Sequence, residues 1–353
     1  MSDRNSVPKV HAVPERLSFD KASLEAFLAS AMPQLTGQIA VSKFTGGQSN
    51  PTYRIDTDQG ALVLRRKPPG RTLASAHAVD REARAMRGLG RVGFPVPKVF
   101  AECKDAGVIG SPFYIMEYLD GRIFWDPLLP GLRPEERRAV YFALADALAE
   151  LHAVDIDAAG LAEFGPRANY YARQVERWTA QYRAVADDPI PEMEKLAAWL
   201  AANVPVDDLV SVVHGDFRLD NVIFHKDRPE VVGVIDWELA TLGNPLADLS
   251  YFLLNWVAPL SVSGRSSLSG VNVSAIGIPT AEEVIERYFT RSNVARPASF
   301  TFHHAYNLFR LAAILHGIAG RSRTGNASSD KADQMGAMVR PAAMVACGLV
   351  GIA

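Results

Sequence analysis

The sequence predicts an α+β fold of two lobes, a small antiparallel sheet followed by a mainly helical body. Three observations carry this prediction. The first third of the chain holds short runs of alternating apolar and polar residues, split by Gly-rich or polar turns, which is the pattern of half-buried strands. After Tyr118 the apolar residues recur at i, i+3 and i+4, the spacing of helices that bury one face. The chain has 353 residues, 48% of them hydrophobic, enough for one large core or two lobes around a cleft. The expected division is 1–118 and 119–353.

Taken in order, residues 39–44, 52–56 and 61–66 read as strands and 76–89 as a charged helix. Residues 97–102 and 112–118 add two strands. Pro134 and two glutamates then open a helix expected to run to His152, since proline and acidic residues suit a first helical turn. Further helices are expected at 170–182 and 191–202. A few short strands return at 211–237, followed by helices at 246–256, 281–288 and 302–319 and one near the C-terminus. Residues 261–278, rich in Ser and Gly, read as a long mobile loop.

Composition removes several classes. A formal net charge of -2 argues against a general nucleic-acid or polybasic membrane binder. Cys103 and Cys347 match no metal or redox spacing and read as buried thiols of a reducing cytosol. The first twenty residues carry no apolar h-region, and no apolar run reaches the length of a membrane span. A cytoplasmic setting is expected.

The most informative stretch is His214-Gly215-Asp216-Phe217-Arg218-Leu219-Asp220-Asn221, followed by Ile235-Asp236-Trp237-Glu238. Phosphoryl transfer needs an acceptor hydroxyl placed in line with a γ-phosphate, and it needs the charge on the phosphate oxygens neutralised. Asp216 is placed to accept the hydroxyl proton. Asn221 and Asp236 offer the hard oxygen ligands that Mg²⁺ prefers. Asp248, in Pro245-Leu246-Ala247-Asp248-Leu249, completes the series.

The nucleotide side is less specific. Gly46, Gly47, Gln48, Ser49 and Asn50 lie between the first two strands, where glycines let backbone N–H groups approach phosphate oxygens. A Gly-Gly pair between strands is more often a plain hairpin. A cation on the third strand should face the phosphates and pair with a helix glutamate. Arg65 and Glu82 occupy those places. Strand alternation puts Lys67 on the same side as Arg65, so it is a second candidate, and turns Arg66 away. Backbone groups of Glu117 and Leu119 are the natural partners for an adenine edge.

With these motifs in order the chain resembles the aminoglycoside phosphotransferase family over roughly residues 20–345. The runs 64–70, 75–82, 170–178, 214–221 and 309–318 look like the kinase half of acyl-CoA dehydrogenase fusion proteins and its free-standing bacterial relatives. The resemblance implies a two-lobed protein-kinase-like fold with ATP and Mg²⁺. It also implies a hydroxyacyl-CoA or related hydroxy-acid acceptor. In that branch arginine after Val-Leu is usual, so Arg65 is compatible with activity. Carried over by position, Asp216 is the base, Asn221 and Asp236 hold Mg²⁺, His214 supports the loop, and Asp248 caps its backbone.

Residues 302–323 carry His303, His304, Arg310, His316, Arg321 and Arg323 with no Asp or Glu among them. A cationic helix suits an anionic acceptor, and Arg310 and Arg321 are its candidate contacts. Two other readings stay open. One is an aminoglycoside, choline-like or sugar kinase of the same fold. The other is a non-catalytic nucleotide-binding module.

Overall fold

The computed structural model describes residues 9–35, 37–45, 50–69, 79–185, 189–206, 209–259, 266–323 and 334–352, with side chains omitted at 321–323. Its strands are β1 (Val10–His11), β2 (Ala40–Phe44), β3 (Thr52–Thr57), β4 (Gly60–Arg66), β5 (Val99–Cys103), β6 (Phe113–Glu117), β7 (Ser211–Val213), β8 (Val222–Phe224), β9 (Val231–Val234) and β10 (Thr241–Gly243). The helices are α1 (Lys21–Ala31), α2 (Val79–Arg91), α3 (Pro134–His152), α4 (Tyr170–Arg183), α5 (Pro191–Ala202), α6 (Leu246–Val257), α7 (Ala281–Arg291) and α8 (Thr301–Arg323). A C-terminal helix follows at Val339–Val350.

The chain divides into two compact units. The first comprises Met1–Phe124, Val154–Phe164 and Asp220–Ala240. The second comprises Trp125–Ala153, Gly165–Leu219 and Thr241–Ala353. A single cut at 118 does not reproduce this division. Residues 220–240 join the first unit because their β8–β9 hairpin bonds into it: Phe224 forms a bridge with Arg122, and the Val234 amide donates to Pro95 O at 2.9 Å. Residues 154–164 join it through α2. A Cβ at Gly88 would lie 2.8 Å from Ala159 O, so only glycine allows so close an approach.

In the first unit a six-stranded antiparallel sheet runs β1-β2-β3-β4-β6-β5. Tyr53 and Ile55 alternate onto one face with Leu62, Leu64, Phe113 and Ile115, and Leu24 and Leu28 of α1 pack against them. Complete burial of each such side chain contributes about 1.5–3 kcal/mol. Helix α1 was not among the expected elements. Its signals are present: Asp20 accepts from the Ala22 and Ser23 amides, as an N-cap does, and Leu24 and Leu28 share a face.

The second unit is helical, with the short pair β7–β10. Its core gathers Trp178 and Tyr182 of α4, Leu196 and Leu200 of α5, Tyr306, Phe309 and Ala312 of α8, and Ala342 and Ala346 of the C-terminal helix. Helix α3 starts at Pro134, as expected, and the Glu136 carboxylate accepts from the Arg133 amide at 3.0 Å. Within the stretch expected to be a mobile loop, residues 261–265 lie outside the described residues. Its described part is packed, with Leu268 and Ile278 buried and a 3-10 turn at Val273–Ile276 capped by Asn272. Apolar anchors at 268, 273 and 278 outweigh the Ser/Gly composition. No described helix is long and apolar enough to cross a membrane.

Candidate active site

The candidate residues divide between the two units. In the first, the sheet and α2 bring Arg65, Glu82, Asn50 and Tyr114 together with Asp236 and Glu238. Arg65 is the penultimate residue of β4, and its register partner on β6 is Tyr114. Its Nε lies 2.8 Å from Glu82 Oε2, its Nη2 lies 2.5 Å from Asp236 Oδ1, and Glu238 Oε2 lies 4.0 Å away. Glu82 also accepts from Asn50 Nδ2 at 2.7 Å and from the Tyr114 hydroxyl at 3.0 Å.

One guanidinium therefore faces several carboxylates, and this sets the protonation equilibria. Burial alone would lower the Arg65 pKa, but Asp236 and Glu82 hold it well above its usual value. Burial pushes the Glu82 carboxyl up against the pull of Arg65, and the neighbouring Asp236 charge adds to the rise. Arg66 points away, as strand alternation requires. It is 2% exposed and donates to Ile109 O and Leu17 O. Arg65, rather than Lys67, is the cation paired with Glu82 and Asp236.

Asp236 follows β9 with φ 68° and ψ 60°, in the left-handed region that non-glycine residues seldom occupy. Such a residue costs about 1–3 kcal/mol and persists where its surroundings hold it. Asn221 ends the 3-10 turn Leu219–Asn221, and its carbonyl accepts from the Ile235 amide at 2.9 Å. The chain position next to Asp236 is thus tied to Asn221. Oxygen atoms of Glu82, Asp236 and Glu238 all lie within 4.8 Å of one another, a hard-donor set that fits Mg²⁺. Asn50 Oδ1, buried beside them, has no hydrogen-bond partner among the described residues.

Gly46, Gly47, Gln48 and Ser49 lie outside the described residues. The Glu117 amide donates to Lys98 O at 2.9 Å, and the Glu117 carboxylate accepts from the Lys98 amide. Leu119 lies just beyond the end of β6, and its side chain packs at Gly233.

In the second unit, β7 delivers the loop His214–Arg218. Asp248, 1% exposed on α6, accepts from the His214 amide at 2.6 Å and the Gly215 amide at 2.8 Å. His152 Nε2 lies 3.5 Å from the same carboxylate, and His152 Nδ1 lies 2.6 Å from the Tyr288 hydroxyl. Burial opposes ionisation of Asp248. The contacts with His152, His214 and the Gly215 amide nevertheless hold its pKa below the ordinary value. The His214 ring accepts from the Asp216 amide at 3.1 Å. Gly215 has φ 83°, which a glycine adopts without strain. The Asp216 side chain is 20% exposed, with the Tyr251 hydroxyl donating to Oδ1 at 2.7 Å and Arg218 Nε 3.2 Å from Oδ2. A carboxylate fixed this way and still open to solvent can accept a proton from a hydroxyl.

His303, His304 and Arg310 of α8 turn inward. Arg310 is 5% exposed and donates through Nη2 to Gly215 O. His303 contacts the Tyr171 hydroxyl and His304 the Ser250 carbonyl. Burial pushes both imidazoles down to about 4, so both are neutral at pH 7. The Arg321 side chain lies outside what the structure describes.

Tyr114, His152 and Tyr251 were not singled out in the sequence. Tyr114 was accessible through strand pairing with Arg65. His152 and Tyr251 carry no local signal, since their roles depend on which helices meet.

Comparison with known proteins agrees with this chemistry. Residues 40–271 match the model of the phosphotransferase enzyme family (APH). Acyl-CoA dehydrogenase family member 10 of Mus musculus is 43% identical over 341 residues, covering 96% of this chain and 32% of that protein. The chain spans about a third to under half the length of the acyl-CoA dehydrogenase family relatives it matches. A Ralstonia eutropha crystal structure, provisionally assigned as an aminoglycoside phosphotransferase, superimposes with a TM-score of 0.84 at 38% identity. It covers 95% of this chain and 99% of that one. The aminoglycoside phosphotransferase APH(4)-Ia, solved with AMP-PNP and hygromycin B, has a TM-score of 0.60 at 16% identity, covering 93% of this chain and 99% of that one. At that identity the likeness speaks for the fold. The fold is kinase-like, and this chain belongs to the phosphotransferase enzyme family.

Proposed function

We propose that this chain transfers the γ-phosphoryl group of ATP, with Mg²⁺, to a hydroxyl of a small molecule, a hydroxyacyl-CoA or related hydroxy acid. The observation that carries the transfer reading is Asp216. Its carboxylate stays partly open while Asp248 pins the backbone on which it sits. Asp216 orients the acceptor hydroxyl and takes its proton as the oxygen bonds to the γ-phosphorus. The bond from that phosphorus to the β–γ bridging oxygen breaks, and ADP leaves. Asn221 and Asp236 would hold the metal, with Glu238 close to Asp236. When bound, Mg²⁺ neutralises charge on the phosphate oxygens. Arg65 and Glu82 set the charge balance around Asp236.

The acceptor class rests on the relatives named as acyl-CoA dehydrogenase family members. Helix α8 adds little to it, because His303 and His304 are neutral and Arg310 is turned toward Gly215.

Coupled ADP release with Mg·ATP, run against 4-hydroxyacyl-CoAs, free hydroxy acids, kanamycin-type aminoglycosides and choline, tests the proposal. Turnover on a hydroxyacyl-CoA is expected, with a fall of about 10²–10⁴-fold in kcat for Asp216→Asn. Turnover confined to an aminoglycoside or choline overturns the acceptor class. ATP binding without turnover on any acceptor favours a nucleotide-binding module.

A further inference from the structure

We infer that Tyr251 and Arg310 are positioning residues for Asp216, a clamp that fixes both its carboxylate and the peptide on which it is mounted. The inference rests on the phosphotransfer reading above.

The geometry is closed on three sides. Tyr251, one turn beyond Asp248 on α6, donates to Asp216 Oδ1 at 2.7 Å. Burial and the neighbouring Asp216 charge push the phenol well above its usual pKa, so it stays protonated and remains a donor. The Gly215 peptide is held at both ends, its amide by Asp248 Oδ1 at 2.8 Å and its carbonyl by Arg310 Nη2. Gly215 sits at φ 83°, a conformation with little steric definition of its own, so these two bonds decide where the Asp216 Cα–Cβ vector points.

Arg310 also holds Tyr251. Its guanidinium lies 5.3 Å from the Tyr251 ring centroid and 5.7 Å from that of Trp178. A buried arginine costs free energy unless its charge is met. Among the described residues Arg310 makes no ion pair. The Gly215 carbonyl and the two ring faces meet its charge instead. An arginine retained on those terms, with its fork aimed at the catalytic-loop backbone, is placed to act through Asp216 rather than on an acceptor.

Catalysis demands this kind of fixation, since a base displaced by about 1 Å can cost 10²-fold in rate. Tyr251→Phe removes one hydroxyl and leaves the ring against Arg310. Arg310→Lys keeps the charge but loses the planar fork, and Arg310→Met removes both.

The test is steady-state kinetics of the full chain with Mg·ATP. It is run with a 4-hydroxyacyl-CoA and, without acceptor, for the slow hydrolysis of ATP by water. Tyr251→Phe is expected to lower kcat about 10–100-fold in either reaction while the KM for ATP stays within about twofold. In an Asp216→Asn background the same change should have less than about a twofold effect, because the group it positions is gone. Arg310→Lys should recover part of what Arg310→Met loses. A Tyr251→Phe enzyme with kcat within twofold of wild type overturns the inference. So does a loss that multiplies fully with Asp216→Asn, or an Arg310 effect confined to the acceptor KM. If Arg310→Met does not fold, Tyr251→Phe and the double variant decide. Wild-type protein that binds ATP but turns over neither acceptor nor water overturns the phosphotransfer reading itself, a distinct result.

Discussion

Arg65 Nη2 lies 2.5 Å from Asp236 Oδ1 while its Nε lies 2.8 Å from Glu82 Oε2, so one side chain ties β4 to α2 and to the turn after β9. Glu82 is fully buried, and Arg65 is the cation that compensates it. Removing one partner of a buried pair leaves an uncompensated charge and costs about 3–5 kcal/mol. Arg65→Met should therefore lower the urea midpoint strongly. Arg65→Lys should lose less, because it keeps the charge, but it cannot present two parallel donors to two carboxylates. An Arg65→Met midpoint equal to wild type would mean that Glu82 is held protonated and needs no cation.

The same pair bears on metal binding. Asp236 cannot serve a divalent cation fully while it is engaged by Arg65, so binding should be visible as a shift in folding equilibrium. A ligand that binds only the folded chain stabilises it by RT ln(1 + [L]/Kd). Mg²⁺ with ADP is expected to raise the melting temperature of the wild type, and Asp236→Asn should abolish most of that rise. Glu238→Gln should weaken it less, since Asp236 is the proposed ligand and Glu238 a carboxylate beside it. An unchanged rise in Asp236→Asn would move the metal to other ligands.

How much of this was legible in the sequence depends on whether a signal is local. The His214–Asn221 run and Asp236 lie within short stretches, and their residue types and order point to phosphoryl transfer. The strands and most helices follow from apolar periodicity, and Pro134 and the glutamates after it mark a helix start to the residue. Helix α1 was missed although Asp20, Leu24 and Leu28 signal it, because its neighbours read as strands. The packing of 266–278 was missed because a few apolar anchors can order a Ser/Gly-rich segment. The fate of the α8 cations was not legible at all. Whether His303, His304 and Arg310 meet solvent or protein depends on α4 and α6, which are distant in sequence.

Those two histidines make a pH prediction. Burial lowers both from 6.5 to about 4 in the folded chain. Between these values the unfolded chain binds protons that the folded chain does not, so stability rises with pH there and is lost as pH falls below 6.5. The slope is at most about 1.4 kcal/mol per pH unit for each histidine. Urea unfolding at pH 7, 6 and 5 should show the decline, and His304→Gln should flatten it. Equal slopes in wild type and variant would mean that His304 titrates alike in both states.

Asp248 acts in a lower window and with the same proton-linkage sense, since its folded pKa is depressed too. Its folded pKa lies below the usual 3.8, so its contribution is complete above that value and is lost as pH falls through the folded pKa. The two amides it accepts from belong to His214 and Gly215, which mount Asp216. Asp248→Asn keeps the shape and one acceptor but puts a donor against one of those N–H groups. Asp248→Ala leaves both N–H groups buried without an acceptor, at about 1–3 kcal/mol each. Hydrogen exchange read on a peptide spanning 211–219 should accelerate in the order wild type, Asn, Ala, and kcat should fall in the same order with the KM for ATP nearly constant. If exchange accelerates while kcat is unchanged, Asp248 stabilises the fold without positioning the catalytic loop. If kcat falls with exchange unaltered, the charge of Asp248 reaches Asp216 through space rather than through the backbone it holds.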